Sequence, residues 1–461
     1  MSHPDFATRA SASLPVHLVG RDALKDSNNP IPGFAVEWAG KTGFIGKKGT
    51  LCLVPDASEA GQPVACALFG MGDDPLALDV GRLPRLLPAG NWHIASGASD
   101  VTLASLGWLL GSYRYDRYRK AQPWKAQLVP AADIDADALS RIAGSVFLAR
   151  DLINTPTNDL GPAELEDAIR KLAGGFKARV TSIVGDKLLE KNFPMVHAVG
   201  RASASAPRIV EFKWGRASDP KVTLVGKGVC FDSGGLNIKP GDSMALMKKD
   251  MGGAANVLAL ASMIMSARLP VRLRVIIAAV ENSISANAFR PGDILNSRKG
   301  TTVEIGNTDA EGRLILGDAL AWGDEDAPEI MIDMATLTGA ARIALGPDLP
   351  AMFTDDDSFA TDMMTAGSAV EDPVWRLPLW KGYRPGLSSN IADISHIGKG
   401  PQGGSITAAL FLQHFVAKSG TWAHFDIFAW AAAEKPSCPI GGEAQAVRAI
   451  FEVMKARYPA S

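Results

Sequence analysis

From Leu139 onward the chain alternates two kinds of apolar pattern. Short runs rich in β-branched residues, ARVTSIV, PMVHAVG, RIVEFKW, KVTLVG, RLRVIIAAV, EIMIDMA and WAHFDIFAW, read as strands. Between them AELEDAIRKLA, AANVLALASMIM, RLILGDALAW and SITAALFLQHFVAK place apolar residues at helical spacing. Long apolar strands separated by helices predict an α/β fold with a mixed, mostly parallel sheet flanked by helices. Residues 13 to about 125 hold shorter runs (PVHLVG, TLCLVP, VACALFGMG) and one helix-like stretch, TLASLGWLLGSYRYDRY, which predict a smaller α/β domain. KAQPWKAQLVPAADIDADAL, 120–139, loses the periodicity and carries two prolines. The expected division is an N-terminal α/β domain over 1–125, a linker and helix over 126–147, and a larger C-terminal α/β domain over 148–461.

In sheets of this kind, functional side chains gather where strands hand over to loops at their carboxyl ends. Three such turns are rich in charge. VGKGVCFDSGGLNIKPG, 225–241, follows the strand KVTLV and holds Lys227, Asp232 and Lys239. MKKDMGGAAN, 247–256, places Asp250 just before a helix. NTDAEGR, 307–313, brings Asp309, Glu311 and Arg313 between the strand-like TTVEIG and the next helix. Taken singly, Asp250 suits a helix N-cap and the other two acids suit a first helical turn. Taken together, four carboxylates at one sheet edge require countercharge, and two divalent cations supply it. Oxygen ligands of this type suit Mg²⁺, Mn²⁺ or Zn²⁺, and acids bridging two metals are an apparatus for generating hydroxide at neutral pH.

Composition narrows the field. Lys plus Arg number 47 against 49 for Asp plus Glu, so the basic excess of a dedicated nucleic-acid binder is missing. Cys52, Cys66, Cys230 and Cys438 form no C-x-x-C pair and read as buried reduced thiols of a cytosolic protein. The N-terminus has no apolar block of signal-peptide length, and 252–269 reads as a buried helix rather than a membrane span. The expectation is a cytoplasmic protein that does not use a membrane. H-E-x-x-H, the P-loop, the G-x-S-x-G elbow and G-x-G-x-x-G after a strand are all missing. His3, His17, His93, His197, His396, His414 and His424 form no ligand-spaced pair and read as structural or solvated.

These residues also carry a likeness. The chain resembles the leucyl (cytosol) aminopeptidases, two-metal exopeptidases of the M17 type. NTDAEGRL matches that family's signature residue for residue, and GKGVCFDSGGLNIKP, KKDMGGAA, DMATLTGA and GGSITAALFL follow in the family's order. The likeness covers roughly 145 to 430 and leaves the N-terminal third without a matching motif. It implies one metal on Lys227, Asp232, Asp250 and Glu311, and a second on Asp232, Asp309 (side chain and carbonyl) and Glu311. A hydroxide bridging the pair would attack, Lys239 would stabilise the oxyanion, and Arg313 would hold a bicarbonate that shuttles the proton. Met247, Thr336 and Gly339 would line the pocket for the first side chain and the Leu337 carbonyl would meet substrate, favouring an apolar, leucine-like residue. Peptides with a free N-terminus and a homohexameric assembly are implied as partners.

Two departures stand out. His396 takes a place where the family often has Asn, and AAAEKPSCPIGGEAQA, 431–446, replaces a glycine-rich stretch near the family's specificity pocket. Two other functions stay open on sequence: a nucleic-acid-binding or regulatory role for the N-terminal domain, and a scaffold that has lost catalysis.

Overall fold

The structure, a computed structural model, describes residues 5–26, 29–56, 64–120, 122 and 124–460. His3 lies outside the described residues. The chain divides into two compact units, one of residues 1–147 with 432–440 and one of residues 148–431 with 441–461.

The first unit is built on a five-stranded sheet in the order Leu51–Val54, Cys66–Gly72, Leu14–Gly20, Gly90–Ser96, Ala126–Leu128. Only the first pairing is antiparallel. Asp100 starts the helix Val101–Gly111 by accepting the Leu103 N–H at 2.8 Å. That helix stops at Gly111, so SYRYDRY lies outside it. Residues 432–440 also belong to this unit: Arg85 donates to the carbonyls of Lys435 and Pro436 and pairs with Glu434. Most of the atypical 431–446 segment therefore packs with the N-terminal unit.

The second unit holds an eight-stranded sheet. Its order is Trp375–Arg376, Ala351–Phe353, Thr421–Asp426, Ile330–Ala335, Lys221–Asp232, Arg272–Asn282, Arg208–Trp214, Arg179–Val184. The four central strands are parallel, and antiparallel pairings flank them. Successive side chains of Lys221–Asp232 face opposite sides. A Cβ on Gly226 would lie 2.7 Å from Ala254 Cα, on the helix Gly252–Ser266. A Cβ on Gly312, on the helix Glu311–Asp324, would lie 2.5 Å from the Cε of the next strand residue, Lys227. The two helices thus cover opposite faces, and Leu314, Ile315 and Leu316 of the second are buried in one cluster with Val225, Ile276 and Met331 of the sheet and the rings of Phe411 and Phe415.

Two local readings change. PMVHAVG is the helix Pro194–Gly200: Pro194 occupies its first turn, and buried Asp318 accepts the N–H groups of Met195 and Val196 at 2.8 and 3.3 Å. The strand read as KVTLV runs on to Asp232, which puts Lys227 inside a strand rather than a turn. Gly226 serves close packing of the helix Gly252–Ser266 there, and Gly228 the close approach of the neighbouring strand at Ala278.

Candidate active site

The parallel strands deliver their ends to one edge, where register sets Asp232 beside Asn282 and Ala335 beside Asp426. Asp250 arrives on the 3-10 turn Met247–Met251, and Asp309 and Glu311 arrive at the start of the helix Glu311–Asp324. Carboxylate oxygens of Asp232, Asp309 and Glu311 all lie within 4.8 Å of one another. Asp250 joins them through Lys227, whose Nζ is 2.7 Å from Asp250 Oδ2, 3.0 Å from Glu311 Oε1 and 2.9 Å from the Thr336 carbonyl it donates to. Lys239 Nζ lies 2.9 Å from Asp232 Oδ2 and 2.6 Å from Asp309 Oδ1.

Asp250 does not cap its helix: that position is Met251, and Asp250 Oδ1 instead accepts the Thr336 hydroxyl at 2.7 Å. Glu311 is buried in the first turn against Lys227.

Crowding and burial raise Asp250, Asp309 and Glu311 alike. Burial, then the Asp232 charge, pushes Glu311 up to about 8. Burial and Asp232 raise Asp309 against the pull of Lys239. Burial raises Asp250 in spite of Lys227. For Lys227, burial opposes the charge, but Asp250, Glu311 and Asp232 outweigh it and hold the amine protonated. Asp250 Oδ2, Asp309 Oδ1 and Glu311 Oε1 are buried and accept no aligned hydrogen bond, although each is within ion-pair distance of a lysine. Oxygen donors converging in this way, with no aligned hydrogen bond to these three atoms, fit divalent metal binding.

Arg313 lies behind this cluster. It is buried, its Nη1 donates to the His396 carbonyl at 2.7 Å, and its Nε has no hydrogen-bond partner. Burial lowers its pKa to about 10, so the guanidinium stays charged at neutral pH. His396 itself is buried, with a pKa lowered to about 4 by burial and by Arg313. As a neutral ring it donates from Nε2 to the Asn307 carbonyl at 2.9 Å and accepts the Gly306 N–H on Nδ1 at 3.2 Å. It is thereby a staple for the loop that presents Asp309.

A cavity of about 480 Å³ opens in front of the acids. Lys227, Asp232, Lys239, Asp250 and Asp309 border it, as do Met247, Thr336, Leu337 and Gly339; Glu311 and Arg313 do not. The expected apolar lining is incomplete, because Lys249 and Arg342 also reach the cavity. Burial lowers Lys249 to about 8.

Sequence reasoning missed several residues that hold this edge. Asn282 Nδ2 donates to Asp232 Oδ1 at 2.8 Å and to the Thr308 carbonyl at 3.0 Å. Asp426 accepts the N–H groups of Leu337 and Thr338 at 3.0 and 3.1 Å and the Thr338 hydroxyl at 2.5 Å, fixing the loop that carries Gly339. An acid at the end of WAHFD was the available signal. Gln445, from the tail of the atypical segment, accepts the Phe428 and Ala429 N–H groups and donates to the Pro347 carbonyl, tying two cavity walls together.

Comparison with known proteins places this edge in context. Residues 147–451 match the catalytic domain of the cytosol aminopeptidase family, and residues 14–130 match the M17 aminopeptidase N-terminal domain. The second match covers the part of the chain that offered no motif. A protein of Syntrophotalea carbinolica named "Probable cytosol aminopeptidase" is 42% identical, over 94% of this chain and 93% of its own length. The crystal structure of cytosol aminopeptidase from Coxiella burnetii superposes with a TM-score of 0.92 at 44% identity, covering 98% of this chain and 99% of that one. The bottromycin maturation enzyme BotP, solved in complex with Mn, gives a TM-score of 0.85 at 33% identity, covering 97% and 100%. No helix among the described residues is long and apolar enough to cross a membrane. By its matches to both domains and to full-length relatives, this chain belongs to the cytosol aminopeptidase family, M17, as a metal-dependent hydrolase of the leucyl aminopeptidase type.

Proposed function

We propose that the chain hydrolyses the first peptide bond of substrates with a free N-terminus, at the cavity bordered by Asp232, Asp250 and Asp309. The convergence of buried carboxylate oxygens without aligned hydrogen-bond donors carries this reading. Lys227, Asp232, Asp250 and Glu311 would hold one divalent ion; Asp232, Asp309 (with its carbonyl) and Glu311 would hold the other. Mn²⁺ or Zn²⁺ are the expected ions, and Mg²⁺ suits the oxygen donors. When bound, such a pair supplies a water nucleophile at neutral pH, polarises the scissile carbonyl and takes up the free α-amine.

The chain's own groups do the rest. Lys227 reaches its station because Gly312 leaves room for it, and a neighbouring dication would let its amine serve as a neutral ligand. Lys239, anchored between Asp232 and Asp309 at the cavity wall, would stabilise negative charge developing on the carbonyl oxygen. Arg313 would receive an anion such as bicarbonate on its unspent Nε, placing a proton carrier behind the acids. Met247, Thr336 and Gly339 would flank the first side chain and the Leu337 carbonyl would meet the substrate backbone. Met247, Ala341 and Ile427 give the cavity an apolar part suited to leucine. The family likeness also implies a homohexamer, which light scattering of the purified protein would test.

Lys239→Met should lower kcat on Leu-p-nitroanilide by about 10²- to 10³-fold, the usual effect of removing an oxyanion donor. N-acetylation of the substrate should abolish cleavage. Full activity in the variant, or equal cleavage of the acetylated substrate, would overturn this assignment.

A further inference from the structure

One wall of the cavity carries chemistry that the hydrolytic machinery leaves unused. Lys249 precedes Asp250 in the turn Met247–Met251, borders the cavity and is only 5% exposed. Lys227 and Lys239 each contact two carboxylates, whereas Lys249 makes no ion pair among the described residues. Its Nζ lies over the face of Phe428, 4.6 Å from the ring centroid.

The two acids whose charges reach Lys249 are already committed. Asp250 pairs with Lys227 and accepts the Thr336 hydroxyl. Asp426 already accepts three hydrogen bonds from Leu337 and Thr338. Arg342, exposed at the cavity rim, stands 4.9 Å from the same Phe428 ring and likewise makes no ion pair among the described residues. Two cations that make no ion pair among the described residues therefore border one aromatic wall. Burying an ammonium without a carboxylate is unfavourable unless a ligand brings one. An exclusively apolar side chain in this pocket would leave that charge unpaired.

Building on the aminopeptidase reading above, we propose that this cavity is selective for acidic N-terminal residues, glutamate and aspartate, whose side-chain carboxylate pairs with Lys249 and is drawn in by Arg342. Charged and isosteric neutral side chains then differ through this contact: glutamate gains the ion pair, and glutamine has nearly the same shape without it. Leucine remains a substrate through the apolar part of the pocket.

The test compares kcat/KM of the Mn²⁺-loaded enzyme on Glu-, Gln- and Leu-p-nitroanilide. Wild type should favour Glu over Gln by at least about tenfold, and Lys249→Met should cut that Glu/Gln ratio by at least about tenfold, while Lys249→Arg should keep it above one. Cleavage of Leu together with Gln at least as fast as Glu in wild type would overturn the proposal alone, and this arm needs no variant. A Glu/Gln ratio unchanged in a folded Lys249→Met would do the same. Failure to cleave any of the three would overturn the aminopeptidase reading, and the acidic preference with it.

Discussion

Asn282→Ala removes the group that aims a proposed shared ligand while leaving every proposed ligand residue in place. The side chain is fully buried, and both groups facing its Nδ2, Asp232 Oδ1 and the Thr308 carbonyl, are acceptors, which fixes the amide's orientation. The bond to the carboxylate at 2.8 Å is charge-assisted and contributes about 1.5–3 kcal/mol, and the bond to Thr308 at 3.0 Å about 0.5–1.5 kcal/mol. Asp232 Oδ1 keeps the Gly234 N–H at 2.9 Å, so the loss falls short of a fully orphaned charge. The expected cost is about 2–4 kcal/mol of stability in this unit. Loss of a partner that orients a ligand typically weakens metal affinity about 10- to 100-fold. A Mn²⁺ titration of reconstituted activity reads the second effect, and calorimetric unfolding with and without Mn²⁺ reads the first. The variant should need more Mn²⁺ for half-maximal activity and should recover most of its kcat at saturation. Titration and unfolding curves that overlay wild type would show that Asn282 does not hold Asp232, and the reasoning would fail.

Other outcomes follow from the same geometry. Gly312→Ala sets a methyl group about 2.5 Å from Lys227 Cε and should abolish metal-dependent activity, measured on Leu-p-nitroanilide, while far-ultraviolet circular dichroism stays native. Chelation by EDTA should remove activity and lower the thermal midpoint, with Mn²⁺ restoring both; at about 1,000 times its dissociation constant, an ion that binds only the folded state adds about 4 kcal/mol. Asp333→Ala strands His424, whose Nδ1 lies 2.6 Å from Asp333 Oδ1 in the sheet interior, and should cost about 3–5 kcal/mol by chemical denaturation. Burial alone would lower the His424 pKa, but Asp333 reverses this and raises it. A raised histidine stabilises below its unfolded pKa and loses that contribution as pH rises through the folded value, so Asp333→Asn should flatten this part of the stability–pH curve above pH 6.5.

The contribution of local sequence differs from element to element. NTDAEGR was legible because its chemistry and its strand-to-helix position lie within seven consecutive residues. The central strands were legible because burial on both faces demands unbroken apolar runs. PMVHAVG misled because its run is equally apolar, and the group that selects the helix, Asp318, lies more than a hundred residues away. Lys227 was read as a turn residue because Gly226 and Gly228 suggest a loop, yet at Gly226 the requirement is contact with the helix behind it. Asn282 and Lys249 gave no signal: an amide at a strand end and a second lysine in KKD acquire meaning only from what packs against them. The excursion 432–440 left its unit and returned without a compositional mark that could set it apart from an ordinary loop.

The central claim is that separate elements of one sheet edge hold a pair of divalent ions between them. Anomalous diffraction at the manganese edge, from crystals of the chain purified with Mn²⁺, tests it directly. Two peaks should appear among Asp232, Asp250, Asp309 and Glu311, with Lys227 Nζ within bonding distance of one. No peak in that space, with the four carboxylates still gathered around the two lysines, would contradict the account.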